Sequence, residues 1–368
     1  MEKVKVLILT KDINSKGGVA SLYRLLHKHF DQGRIEVDYF YVGSPSHVYK
    51  QRNKRLFTYT IDSIGQFWRF RKYCNNNKPD IVVLNPSLIP VALLRDGIYL
   101  LIAKYYNLKA IVFFHGWRDN IFKRIKKNIL LKTIFKKIYL KADAFIVLAN
   151  SFNDCLSTLL PERPIYTLFI PYDDSLVHDY TDISNRTGII FLSRISEQKG
   201  IKELVEVAQA FLQKSQIKFS IKIFGHFANN KIEKWVRDYL DSHPEVQKSI
   251  YIGGFIDGDL KYAELRKSEV FVLPSWQEGC PTALIEAMAA GCYCIGTNVG
   301  AIPEIINDNW NGQIISPKSR NQLSSALETF LINRDHLLSR CLDNRKQTKG
   351  KYDISVFADR LRDIILGL

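Results

Sequence analysis

The chain has 368 residues, of which 46% are hydrophobic and 24% charged, enough for two soluble domains that each bury a core. Its longest apolar stretch, Ile89 to Ala103, is interrupted by Arg95-Asp96, which excludes a membrane-spanning helix there. The net charge of +15 is uneven: residues 1–171 hold 28 Lys/Arg against 12 Asp/Glu and the remainder 24 against 25, so a basic first half adjoins a nearly neutral second half.

Met1-Glu2-Lys-Val-Lys leads straight into the strand-like run Val4 to Leu9 with no secretory signal, so a cytoplasmic or peripheral protein is expected. Gly17-Gly18 follows at a strand-to-helix turn, where paired glycines let backbone approach a ligand. Further apolar runs are Ile35 to Val42, Asp80 to Leu84, Ala110 to Phe114, Ala144 to Leu148 and Ile165 to Ile170, with helical patterns between most of them. Phe67-Trp68-Arg-Phe-Arg-Lys72 reads as an amphipathic helix with its aromatics inward. His115-Gly116 comes directly after a strand, which places His115 at the carboxyl end.

From Asp119 the helical phase sets Ile121, Phe122, Ile125 and Ile129 on one side, opposite Lys123, Arg124, Lys126 and Lys127. It changes beyond Asn128, so two short helices are expected. The first could lie on an anionic membrane surface or simply be a solvated basic face; the second should pack on the sheet. Residues 172–187 are polar and aperiodic, as in a linker. Asn185-Arg-Thr187 fits a glycosylation sequon that chance explains.

The second half has runs Gly188 to Leu192, Phe219 to Phe224, Ile250 to Gly253, Val270 to Leu273 and Tyr293 to Gly296. Arg194 and Lys199 stand at the first strand-to-helix turn, before a helix expected over Gly200 to Leu212. Asp257-Gly-Asp259 superficially suits a metal, but Asp259 is expected to cap the helix Leu260 to Ser268. Six cysteines lack metal-type spacing and read as reduced core thiols. Strands alternating with helices make this an α/β protein of two doubly wound domains, 1–171 and 188–350, with a terminal helix in 351–368. Ligands of such domains bind beyond the carboxyl ends of the strands, which points to a cleft between the two.

The most informative stretch is Gly279 to Pro303, where Glu286 is the one charged side chain. Pro281 suits the first helical position and Gly291 the stop, framing a helix Pro281 to Ala290 whose first amides would attract an anion. A carboxylate in such surroundings needs a partner. A polar ligand is the expected one; a lysine or backbone amides in an ordinary core is the alternative.

The form Glu278-Gly-x-Pro-x-x-x-x-Glu286-Ala-x-Ala-x-Gly291 resembles the signature of retaining GT-B glycosyltransferases of family 4. Gly300-Ala-Ile-Pro303-Glu304 and Asn311-Gly312 extend the match. Phe191-Leu-Ser-Arg194-Ile-Ser-Glu-Gln-Lys199-Gly200 is similar to the family's Gly-Arg-x-x-x-x-Lys-Gly. The resemblance implies two Rossmann-like domains, an N-terminal one for the acceptor and a C-terminal one for a nucleotide sugar, with the last helix crossing back to the first domain.

It further implies that Arg194 and Lys199 stabilise the diphosphate leaving group, that Glu286 accepts the ribose hydroxyls, and that Glu278 and His115 sit by the donor sugar. Gly279, Cys280, Pro281 and Thr282 would hold sugar hydroxyls or phosphate at the helix start, with Gly17 and Gly18 near the donor phosphates and acceptor. Cys280 stands where relatives often have an aromatic, and Gly225-His226 where many carry two glycines. No metal or cofactor is implied beyond the donor, with UDP favoured over GDP. The reaction expected is retaining, α-forming sugar transfer to a carbohydrate or lipid-linked glycan, in bacterial surface polysaccharide assembly at the inner face of the membrane. Three other readings are a nucleotide-sugar epimerase or hydrolase, a nucleic-acid-binding protein suggested by the basic half, and a silent partner subunit.

Overall fold

The computed structural model describes residues 3–15, 17–30, 33–42, 56–173, 186–214, 219–308 and 310–368. The chain forms two compact units, Met1–Ile170 with Ile354–Leu368, and Pro171–Asp353. Most of the expected linker and Asn185 of the sequon lie outside the described residues.

The first unit runs β1 (Val4–Thr10), α1 (Gly18–Phe30), β2 (Ile35–Tyr41), α2 (Leu56–Asn77), β3 (Ile81–Leu84), α3 (Pro90–Tyr105), β4 (Lys109–Phe113), α4 (Asp119–Lys127), α5 (Ile129–Tyr139), β5 (Ala144–Val147), α6 (Asn150–Ser157) and β6 (Ile165–Thr167). The strands are parallel in the order β2-β1-β3-β4-β5-β6. Helices cover both faces, so inner strands such as β3 and β5 are buried along their whole length, whereas the edge strand β2 alternates. The C-terminal helix Ile354–Leu366 belongs to this unit: Phe357 stacks near Phe113, and Arg362 Nη2 donates to His29 O at 3.4 Å.

The second unit comprises β7 (Ile189–Leu192), a 3-10 turn Glu197–Lys199, α7 (Ile201–Lys214), β8 (Ile221–Phe224), α8 (Asn230–Asp241), α9 (Pro244–Gln247), β9 (Ile250–Gly254), α10 (Gly258–Lys267), β10 (Val270–Leu273), α11 (Thr282–Ala289), β11 (Tyr293–Thr297), α12 (Ile302–Ile305), β12 (Gly312–Ile315), α13 (Arg320–Ile332) and α14 (Arg334–Tyr352). Its parallel order is β12-β11-β10-β7-β8-β9. β12 is a strand that the apolar runs do not reveal, because Gly312-Gln-Ile-Ile315 is short and starts at a glycine. That glycine is needed, since a Cβ at Gly312 would lie 2.0 Å from Cys294 O.

The two short helices expected around Asn128 are present, and several other local expectations change. Asn128 separates α4 from α5 by capping the latter, its Oδ1 accepting from Leu131 N at 3.0 Å. α4 buries Phe122 and Ile125, with Trp117 stacked between Phe122 and Phe152, so its apolar side belongs to the core. α5 buries Phe135 and Tyr139 and leaves Ile129, Leu130 and Ile134 exposed. On α2, Phe70 is buried but Trp68 is 65% exposed with Lys72 over its ring, so the aromatics do not all turn inward. One helical stripe holds about a third of the positions, and consecutive aromatics cannot share it.

α10 begins at Gly258 with Asp257 in the cap position and Asp259 in the first turn, which moves the cap two residues earlier than expected. Pro281 is likewise the residue before α11, held extended at ψ 106°, and not its first helical residue. All six cysteines are free thiols, four of them buried.

Candidate functional site

In the second unit the strand order reverses between β7 and β10, so the chain leaves these neighbours in opposite directions and their following loops part at the carboxyl ends. Glycine brings the two loops together. Gly200 has φ 75°, and a Cβ there would lie 2.1 Å from Pro274 O. Trp276 N then donates to Gln198 O at 2.8 Å. The result places Lys199, from the first loop, in an ion pair with Glu278, from the second.

Glu278 is buried and also accepts from Ser275 Oγ at 2.8 Å. Its loop is held from the other side by Gly300, at φ 58°, where a Cβ would come within 2.4 Å of Glu278 O. Ala301 N donates to Gly279 O at 2.8 Å. Arg194, just after β7, is exposed and has no hydrogen bond or ion pair among the described residues. Gly279, Cys280 and Thr282 are half-buried around the start of α11 and Pro281 is buried. The first-turn amides of any helix lack intrahelical acceptors, so this end offers donors.

Glu286 lies on α11, buried, and its partner is Lys261 of α10, whose Nζ donates to Oε1 at 2.8 Å. The same ammonium is 3.6 Å from Asp257 Oδ1 and rests over the Tyr262 ring, while Tyr262 Oη donates to Asp173 Oδ2 at 3.3 Å. Burial pushes the Glu286 carboxyl up, and Lys261 opposes that shift. A buried carboxylate satisfied by a lysine was one of the two expectations, but Lys261 itself escapes sequence reading. It stands 25 positions away, a separation no motif encodes.

In the first unit the order reverses between β1 and β3. Asn85 follows β3 and joins three elements: Nδ2 donates to Leu9 O at 2.7 Å, while Oδ1 accepts from Tyr23 Oη at 2.6 Å and lies 2.8 Å from His115 Nε2. Because Oδ1 can only accept, the His115 proton sits on Nε2. Nδ1 is therefore a bare lone pair, and it is buried without a partner among the described residues. Burial lowers the ring's pKa to about 3, so the imidazole is neutral. His115 can accept a hydroxyl hydrogen bond but carries no cation. We expect its ring NMR signals to be flat across roughly pH 5 to 8, where a free histidine titrates; a midpoint near 6.5 would contradict this environment.

Gly116 permits this placement, since a Cβ there would meet Ser87 Cβ at 2.4 Å. Gly17, at φ 133°, and Gly18, the first residue of α1, are both exposed, with open space around the Gly17 Cα. Asn85 was not singled out from sequence. A polar residue immediately after an apolar strand in a doubly wound domain is the signal that would have found it.

Residues 179–348 match the family model described as glycosyl transferases group 1. Among curated relatives of this group 1 segment, an uncharacterised glycosyltransferase of Methanocaldococcus jannaschii is 29% identical over 146 residues, covering 39% of this chain and 35% of that protein. An Escherichia coli protein named for colanic acid biosynthesis as a glycosyltransferase, WcaL, is 25% identical over 187 residues, covering 49% of this chain and 45% of its own length. The chain thus spans less than half the length of these two relatives. Among solved structures, sucrose-phosphate synthase from Thermosynechococcus elongatus superposes with TM-score 0.78 at 15% identity over 99% of both chains. HepE of Anabaena, solved with UDP-glucose, does so with TM-score 0.74 at 14% identity, covering 99% of this chain and 100% of its own. The fold is GT-B.

Proposed function

We propose that the protein is a retaining glycosyltransferase that moves a sugar from a nucleotide-diphosphate donor, a UDP-sugar before a GDP-sugar, to a hydroxyl of a carbohydrate or lipid-linked glycan. The observation that carries this reading is the group 1 segment's paired carboxylates: Glu278 joined to Lys199 where the strand order reverses, and Glu286 held on a neighbouring helix by Lys261. Glu286 would accept the ribose hydroxyls, since a carboxylate takes two donors. Lys199 and Arg194 would take up the charge that grows on the diphosphate. In the second unit Glu278 would bind donor sugar hydroxyls, with the amides of Gly279, Cys280 and Thr282 at the helix start; in the first unit the bare Nδ1 of His115 would accept from a sugar hydroxyl and Gly17-Gly18 would let backbone approach a ligand.

The bond between the anomeric carbon and the β-phosphate oxygen breaks, and the acceptor oxygen bonds on the same face. The acceptor's proton passes to a donor phosphate oxygen, so no side-chain nucleophile or bound metal enters the reaction. The complexes of HepE with UDP-glucose support the donor class. The relative named for colanic acid biosynthesis supports surface polysaccharide assembly as the setting.

Thermal stabilisation by UDP, GDP, ADP, CDP and dTDP tests the pocket. At a hundred times its dissociation constant, the correct nucleotide adds roughly 2.7 kcal/mol, a shift of several degrees. The expected result is a shift with UDP that disappears in Glu286→Ala. No shift with any nucleotide overturns the reading, and turnover of donor at full rate without an acceptor moves it to a hydrolase or epimerase.

A further inference from the structure

The surface of the first unit formed by α3, α4 and α5 carries two adjoining depressions of opposite chemistry. One is an apolar groove of about 380 Å³, walled by Leu94, Ile121, Ile134 and Ile138 over the buried Phe135 and Tyr139. The other is a shallow basic depression lined by Lys123, Arg124 and Lys127 with two asparagines. Arg124 lines both.

The groove has a local cause. On α3, Gly97 admits Ile138 so closely that a Cβ would lie 3.1 Å from its Cγ2, and Tyr139 Oη donates to Leu93 O at 2.8 Å. These contacts pin the C-terminal part of α5 to α3. The N-terminal part, with Ile129 77%, Leu130 65% and Ile134 46% exposed, faces solvent, as does Leu94 at 62%. Such a groove beside a cluster of cations offers apolar and charged contacts to one partner.

We propose that this surface docks on an anionic phospholipid bilayer, one acyl chain entering the groove between α3 and α5 while its phosphate rests on Lys123, Arg124 and Lys127. Charge and polarity together select that occupant. An anionic lipid satisfies both depressions at once, with the shared Arg124 at the junction of chain and headgroup. Nucleic acid would use the cations and leave the groove open to water. A second copy meeting this face with its own would bring Lys123, Arg124 and Lys127 against their equivalents, a like-charge clash. The docking element is therefore not α4 alone: α4 gives Ile121 to the groove and buries Phe122 and Ile125, and α3 and α5 supply the other walls. The proposal is independent of the transferase reading.

The test is flotation with vesicles of phosphatidylcholine alone or mixed with phosphatidylglycerol, at low and high salt. The wild type should float only with the anionic vesicles. Leu94→Glu/Ile134→Glu, at two exposed positions, should lower that binding at least about tenfold with an unchanged melting midpoint, and Lys123→Ser/Lys127→Ser roughly thirtyfold, from the attraction of each cation to an anionic leaflet. In Ile134→Trp, the added fluorescence should be quenched by phospholipid brominated along its acyl chain. The proposal fails if the Glu variant binds as well as wild type and the added tryptophan is not quenched, which would leave only adsorption of the basic face. It also fails if no anionic vesicle is bound at low salt, if these residues instead retard nucleic acid on a gel at moderate salt, or if the Glu variant abolishes a dimer and not lipid binding.

Discussion

Lys199→Ala is expected to lower the rate of sugar transfer by roughly 10²–10³-fold, the usual consequence of removing one group that meets developing charge. The effect should fall on kcat, because the diphosphate is more negative as it leaves than while bound as a sugar ester. Lys199 also has a structural tie, its ion pair with the buried Glu278, so loss of rate alone would not separate the two roles. Removing the lysine leaves Glu278 with the Ser275 hydroxyl and a buried charge without its counterion. That costs stability as well.

The double variant Lys199→Ala/Glu278→Gln separates them. It should recover most of the lost melting temperature, since no unpaired charge remains, yet transfer sugar roughly 10²–10³-fold more slowly than Glu278→Gln alone, which by itself carries the loss of the Glu278 sugar contact. Single-turnover kinetics beside thermal melts would show this. A double variant that regained transfer would remove Lys199 from the leaving-group role.

Lys261→Met is expected to destabilise the second unit by about 3–5 kcal/mol at neutral pH, the range for breaking a buried ion pair from one side. Methionine keeps the aliphatic stem over Tyr262 and removes only the ammonium that faces Glu286 and Asp257. The pH dependence identifies the cause. Burial raises the Glu286 carboxyl above its ordinary value, so the folded protein holds that proton more tightly than the unfolded chain. Stability from this group is therefore present below the ordinary carboxylate pKa and declines as pH rises to the raised folded value.

Without Lys261 the folded value rises further and the decline continues to higher pH. The deficit of Lys261→Met against wild type should thus be widest near neutrality and shrink as the solution approaches about pH 4. UDP stabilisation should respond in the opposite sense, weakening as acid protonates the acceptor carboxylate, and Lys261→Arg should restore it near neutrality. Chemical denaturation across pH, with and without UDP, measures both. A deficit independent of pH would mean that lost packing, and not the charge on Glu286, is responsible.

The alternation of apolar runs with helical patterns determined the α/β class, the two doubly wound sheets and eleven of the twelve strands to within a few residues, because a strand covered on both faces must be apolar along its length. The spacing of Glu278 and Glu286 and the Arg194/Lys199 turn made candidate residues readable because each set forms a short motif of neighbouring residues that resembles a glycosyltransferase signature: Arg194, Lys199 and Glu278 follow strands, and Glu286 lies within α11. Pairing was not written there. Lys261 reaches Glu286, and Lys199 reaches Glu278 across 79 positions, only because parallel strands gather loops that are remote in the chain. Asn85 tying Leu9, Tyr23 and His115 is the same case.

Direction was the other thing that tertiary structure decided. A helical pattern shows that α2, α4 and α5 have apolar residues but not which of them the sheet covers. Trp68 turns outward, and α5 buries Phe135 and Tyr139 while leaving Ile129, Leu130 and Ile134 exposed. Amphipathicity is a property of one helix, whereas burial depends on what packs against it. The sequence by itself therefore determined the elements and the chemistry available at their ends, and the tertiary structure decided which charges neutralise each other and which apolar face remains open to bind something else.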